Sequence, residues 1–212
     1  MYSLSIGEVI AMTNQAYHLE FAHVGEDVII WPLAKIVAPE MISIGDSVII
    51  DDFVFISGGE KTTVGSFVHI ASFTSITGGG EFVMKDFAGL SGGIRVYTGN
   101  EDYSGGSLTN PSVPGPYRVP MRSFVHIEKH AIVGANTVIL PGVTVGEGAV
   151  IGANSLVRKD CDPWMIYFGS PAKPLRSRPR EIILELEEKL RNELYDKQGK
   201  YIPKRLREEG TN

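Results

Sequence analysis

The sequence predicts an all-β fold: a parallel β-helix of six-residue turns with a long inserted loop and a C-terminal α-helix. Three observations carry the prediction. Aliphatic residues recur every six positions, groups of three of them recur every twenty, and past residue 180 the spacing changes to the three-and-four of a helix. Val24, Ile30 and Ile36 are followed by Ile44, Ile50 and Ile56, then by Val64, Ile70 and Ile76, then by Met84, Leu90 and Val96. Three sixes plus two make the twenty, and the two extra residues recur at one place, as in Ser57-Gly58-Gly59 and Thr77-Gly78-Gly79. After a break, Ile127, Val133, Ile139, Val145, Ile151 and Val157 continue at six without that insertion.

Six is neither a helical period nor a simple alternating strand. It suits a triangular coil in which each hexad is one flat side. The anchor and the small or branched residue four positions later (Val48, Val68, Thr74, Ala88, Thr137, Ala149, Ser155) then point inward, and Gly, Asp or Glu sits near the corner. Coils stack at about 4.8 Å, so six of them make a prism roughly 30 Å long. An antiparallel sandwich has no reason to keep six and twenty in register together.

Taken in order, residues 1–23 are expected to cap one open end, where an unpaired edge would invite strand addition. Residues 24–162 form the β-helix, interrupted at about 97–124 by a stretch rich in Gly, Pro, Ser and Tyr that is too long for a turn. Residues 163–212 form an extension with a helix at about 180–197, in which Ile183, Leu186, Leu190 and Leu194 make an apolar stripe and Pro179 stands near the start.

The 212 residues, 43% hydrophobic and 21% charged, suit one domain with a sizeable core. Twenty Lys and Arg against 25 Asp and Glu give a formal charge of −5, which makes nucleic acid a poor partner. The one cysteine, Cys161, cannot form an intrachain disulfide, and the chain shows neither a leader nor a membrane-spanning run. Insertion into a membrane is not expected, and the cytoplasm is the expected location.

The hexads in IGDSVIIDDFVFIS and IVGANTVILPGVTVGEGAVIGANSLVRKD, followed by DPWMIYFGSPAKPLRSR, resemble the hexapeptide-repeat acyltransferases. The resemblance runs from about Val24 to Arg178 and implies a left-handed parallel β-helix. More narrowly, VYTGNEDYSGGSLTNPSVPGPYR resembles the branch of dTDP-4-amino-4,6-dideoxyglucose acyltransferases and related O-antigen enzymes. It implies a homotrimer with sites between neighbouring prisms, acetyl-CoA as donor, no metal, and a sugar amino or hydroxyl group as acceptor, most naturally on a nucleotide-linked sugar.

Acyl transfer needs a base for the acceptor proton and a group that stabilises the oxyanion. Many members of the family carry a catalytic histidine at the root of the long loop. Here that place is taken by Glu101, with Asp102 beside it. His69, predicted to point outward one residue before an anchor, is the expected base, with Glu101 or Asp102 holding it or the acceptor. His126 and His130 are expected to be structural, with His130 also outside the core. In the loop, Tyr97, Tyr103 and Tyr117 offer stacking surface and Asn110 and Arg118 polar contacts for a sugar.

Small residues at Gly134, Ala135, Gly152 and Ala153 would let pantetheine approach the coil backbone. The resemblance places the coenzyme nucleotide near Lys159 and the Gly169–Lys173 segment, which holds Pro171 and Ala172. Lys159, Lys173, Arg176 and Arg178 are candidates for its phosphates. Two other classes stay open. One is a γ-class carbonic anhydrase with zinc on His69, His126 and His130, whose different phases argue against it; the other is a non-catalytic β-helix scaffold.

Overall fold

The computed structural model describes residues 19–209. The expected cap at 1–23 therefore lies almost wholly outside the described residues. The chain coils through three parallel faces. The first face stacks His23–Val24, Ile42–Ile44, Lys61–Val64, Glu81–Met84, Phe124–Ile127 and Val143–Val145. The second stacks Ile29–Ile30, Ile49–Ile50, His69–Ile70, Gly89–Leu90, Ile132–Val133 and Val150–Ile151, then the antiparallel hairpin Met165–Phe168 and Lys173–Ser177. The third stacks Lys35–Val37, Phe55–Ser57, Ser75–Thr77, Arg95–Tyr97, Val138–Ile139 and Leu156–Val157. This is the hexapeptide-repeat left-handed β-helix that the spacing and the resemblance predict.

Register follows the repeat. Ile44 pairs with Val64 and Ile50 with Ile70, each twenty residues on, whereas Val133 pairs with Ile151 across eighteen. Ile44, Ile50, Ile56, Ile70, Ile76 and Met84 are all essentially inaccessible, and Val48, Thr74, Ala88, Thr137, Ala149 and Ser155 are buried between them. The interior is thus a continuous aliphatic column, with its few hydroxyls satisfied by carbonyls, as Thr137 Oγ1 donates to Gly152 O at 3.2 Å. Val24, in the first coil, is 43% exposed because no coil lies below it among the described residues.

Most corners carry a residue in the left-handed region, which L-residues resist. Between the first and second faces those residues are Asp27, Ser47, Phe67, Phe87, His130, Gly148 and Trp164, all with φ between 54° and 64°. A backbone ladder holds them: Phe67 N–H donates to Asp46 O, Phe87 to Ser66 O and His130 to Asp86 O, at 2.9–3.1 Å. Side chains support the same turns. Asp46 Oδ1 accepts from Glu26 N, Ser66 Oγ from Asp46 N, and Asp86 Oδ1 from Ser66 N. The two-residue insertion lies at the corner between the third and first faces, where Gly59, Gly78 and Gly79 take positive φ.

Helix α1 (Glu181–Leu194) lies along the corner between the first and second faces. Phe67 and Phe87 stack there at 4.9 Å, Phe87 stacks on His130 at 5.2 Å, and the Arg191 guanidinium sits 5.2 Å from the Phe87 ring. The side chain most buried on α1 is Glu187, whereas Leu186 is exposed. The other residues of the stripe read from the sequence, Ile183, Leu190 and Leu194, are half-buried; the position of His130 is corrected here. That histidine is buried, with Nε2 2.8 Å from Glu187 Oε2, because the left-handed corner turns it under α1. Lys129 and Arg191 reach the other Glu187 oxygen at 2.6 and 2.5 Å. Burial alone would raise the Glu187 pKa, but hydrogen bonds from Lys129, Arg191 and His130 outweigh it and hold the carboxyl at about 2. Past α1 the chain runs back to the first coil, where Tyr201 Oη and Lys204 N donate to Asp27 Oδ2 at 2.9 and 2.7 Å, and helix α2 (Lys204–Glu209) follows.

Candidate active site

The inserted loop is an ordered hairpin. Gly99–Asn100 pairs antiparallel with Met121–Arg122, Arg122 Nη1 donates to Gly78 O at 2.6 Å, and Leu108 N donates to Tyr117 O at 3.0 Å. Inside it the Arg118 guanidinium donates to Glu101 Oε1. Both side chains are largely buried, and neither Glu101 Oε2 nor Arg118 Nε has a hydrogen-bond partner. Arg118, expected to face a sugar, is thus spent within the loop, and Glu101, expected near the base, is neutralised by it. Asp102 is half-buried. Its carboxyl is held below the usual range by hydrogen bonds from the Ser104 hydroxyl and backbone, and the backbone bond is 2.8 Å long. A carboxylate bonded to several donors, as Asp102 is, is a weak base. Tyr103 and Tyr117 are open to solvent and Tyr97 is about one-third exposed, while Asn110 Oδ1 accepts from Ser112 N and shapes its own turn.

His69 lies on the second face, outward as expected and just over half exposed. No hydrogen bond or ion pair joins it to Glu101 or Asp102 among the described residues. Its Nε2 is 3.1 Å from Asp51 Oδ2, a carboxylate that the repeat presents as one more acidic corner residue. His69 is in register with Ile49 on one side and Gly89 on the other. A Cβ at Gly89 would meet nothing within 4 Å, so a notch opens beside the imidazole in a row that otherwise carries Ile49 and Ile132. His126 is on the first face, 3.2 Å from Glu81 Oε2 and against the Phe124 ring. His69, His126 and His130 therefore occupy separate places in the chain, and no group of three metal-binding side chains occurs among the described residues.

On the donor side, the second face ends in the hairpin that carries Pro171, Ala172, Lys173 and Arg176. A cleft of about 320 Å³ lies there, lined by Val157, Lys159, Cys161, Tyr167, Pro171 and Ala172. Lys159 lines it and is exposed, as are Lys173 and Arg176 on the hairpin. Arg178 differs: its Nη1 donates to His130 O and Gly148 O at 3.0 and 2.9 Å and its guanidinium lies 5.8 Å from the Trp164 ring, so it braces the corner. Gly134 and Gly152 have structural reasons of their own. A Cβ on the first would come within 2.6 Å of Ala153 N, and on the second within 2.4 Å of the Phe168 ring. Ala135 O accepts from Asn154 N in the next coil, which is part of the same packing.

A family model described as bacterial transferase hexapeptide (six repeats) matches residues 124–159. AntD, an N-acyltransferase from Bacillus cereus solved in complex with dTDP and 3-hydroxybutyryl-CoA, superposes with a TM-score of 0.77 at 38% identity, covering 90% of this chain and 97% of that one. The chain belongs to the hexapeptide-repeat acyltransferases. A variant of AntD in complex with dTDP-4-amino-4,6-dideoxyglucose and coenzyme A gives the same TM-score of 0.77 at 37% identity, covering 89% of this chain and 97% of that one. The dTDP-4-amino-4,6-dideoxy-D-glucose acyltransferase of Escherichia coli is 41% identical over 104 residues, 49% of this chain and 54% of that relative. The partner of His69, Asp51, was not singled out from the sequence. Its signal was the doubled acid in IIDDF, of which the turn needs only one: Asp52 Oδ1 accepts from Leu33 N at 2.8 Å.

Proposed function

We propose that this protein transfers an acyl group from a coenzyme A thioester to the amino group of a dTDP-linked amino-dideoxy sugar. The observation that carries this reading is the similarity to AntD over nearly the whole of both chains, with a nucleotide and an acyl-CoA bound to that enzyme. Acetyl-CoA is the donor proposed here, and an acyl chain like that of AntD's ligand is the natural comparison. The proposed assembly is a homotrimer with sites between prisms. Exposed aromatic surface supports it: Phe53 and Phe73 stack at 5.1 Å with more than half of each open to solvent. The product would serve O-antigen or other surface polysaccharide synthesis from the cytoplasm.

In the proposed mechanism the acceptor nitrogen attacks the thioester carbonyl, His69 removes the proton from that nitrogen, and the tetrahedral intermediate collapses with loss of the coenzyme thiolate, which takes up a proton. Among the loop carboxylates Glu101 is engaged by Arg118 and Asp102 by Ser104, which turns the reading to a histidine. His69 is preferred to His126 because its side chain is the more open, 54% exposed against 31%, and stands beside the Gly89 notch. Four strand spacings, about 19 Å, separate its strand from the hairpin at the cleft. Lys159, Lys173 and Arg176 would meet the coenzyme phosphates, and Tyr97, Tyr103 and Tyr117 would form the wall for the sugar nucleotide. Mass spectrometry after incubation with acetyl-CoA and dTDP-4-amino-4,6-dideoxyglucose tests the reading. An acceptor heavier by one acetyl group, carried on nitrogen, is expected; unchanged acceptor with either acetyl-CoA or 3-hydroxybutyryl-CoA would overturn it.

A further inference from the structure

We infer that Asp51 is a positioning residue for His69, fixing the imidazole in the tautomer whose Nδ1 is bare and able to take a proton. The inference rests on the reading of His69 as the base. Asp51 Oδ2 lies 3.1 Å from His69 Nε2. An ionised carboxylate only accepts, so the proton between them belongs to Nε2, and in the neutral ring Nδ1 must then carry the lone pair.

The fold holds the pair rigidly. The Asp51 N–H donates to Ile70 O at 3.0 Å, and Ile49 is in parallel register with His69, so the backbone of one coil sets the carboxylate against the imidazole of the next. Other acidic turn residues have side chains engaged by the fold itself. Asp46, Asp86, Asp52 and Asp160 each accept from a backbone N–H of a neighbouring coil at 2.7–2.9 Å. Asp51 is instead directed at a histidine. Beside that histidine the Gly89 notch leaves room for an acceptor to approach, where the flanking Ile49 and Ile132 would fill the space with side chain.

The test compares Asp51→Asn, Asp51→Glu and His69→Ala with the wild-type chain, together with ¹⁵N spectra of the imidazoles. In the wild type His69 is expected as the Nε2–H tautomer; Nδ1–H as the major form would overturn the inference without recourse to any variant. Asp51→Asn is expected to lower kcat about 10- to 100-fold, to leave both KM values within about twofold, and to mix the tautomers. Asp51→Glu is expected to restore part of kcat and of the Nε2–H population. If His69→Ala loses activity while Asp51→Asn keeps the wild-type rate and tautomer, the positioning role is wrong and the base assignment stands. If His69→Ala turns over normally, the base assignment itself is wrong and the role of Asp51 falls with it. Should the Asn variant melt at lower temperature, the wild-type tautomer and the Glu variant decide the question.

Discussion

Cys161 lines the cleft beside the C-terminal hairpin, almost fully buried, and burial pushes its thiol up to about 12, with Asp160 and Asp162 adding to the effect. Hardly any thiolate exists near neutrality, so the native protein is expected to react negligibly with a disulfide reagent and to titrate one thiol only after unfolding. Rapid labelling of the native chain would show that the cleft opens. At the same scale, His69→Ala is expected to lower kcat by roughly two to four orders of magnitude, and near-normal turnover would refute its role. Lys159→Ala should raise the apparent KM for the donor with kcat nearly kept, and an unchanged donor KM would remove it from the phosphate site. Single residues were the level least legible in the sequence. Outward hexad positions identified His69 as exposed, but the pairings of Glu101 with Arg118 and of His69 with Asp51 depend on loop closure and on contacts between coils. His130 was misplaced because the left-handed corner reverses the side expected for its side chain.

Among the elements, α1 is held by a buried carboxylate as well as by half-buried apolar residues. Glu187 is lowered from 4.5 to about 2, and a carboxyl depressed on folding stabilises the native state above its unfolded pKa. That contribution, about 3 kcal/mol, is complete above pH 4.5 and is lost as pH falls toward 2. Glu187→Gln should therefore lower the melting temperature at neutral pH by roughly 5–10 °C and flatten its fall between pH 4.5 and 2. Equal acid sensitivity in both proteins, measured by thermal unfolding across that range, would contradict this account of α1. The helix was visible in the sequence from its spacing, but its orientation was not. The partners that draw Glu187 inward, Lys129 and His130, lie more than fifty residues earlier in the chain.

For the whole molecule, the repeat specified nearly everything. Two extra residues per coil, placed at one corner, account for the change in register from twenty to eighteen on either side of the loop. What the repeat leaves open is the inserted loop and the outward side chains, because their contacts join residues that are scattered along the chain. The measurement that tests the central claim most directly is release of free coenzyme thiol from acetyl-CoA, followed with dTDP-4-amino-4,6-dideoxyglucose and with its hydroxyl counterpart. The buried Cys161 adds little background to such an assay. Steady thiol release with the amino sugar, and far less with the hydroxyl sugar, is the predicted result; release that is no faster with the amino sugar than without acceptor would contradict the account.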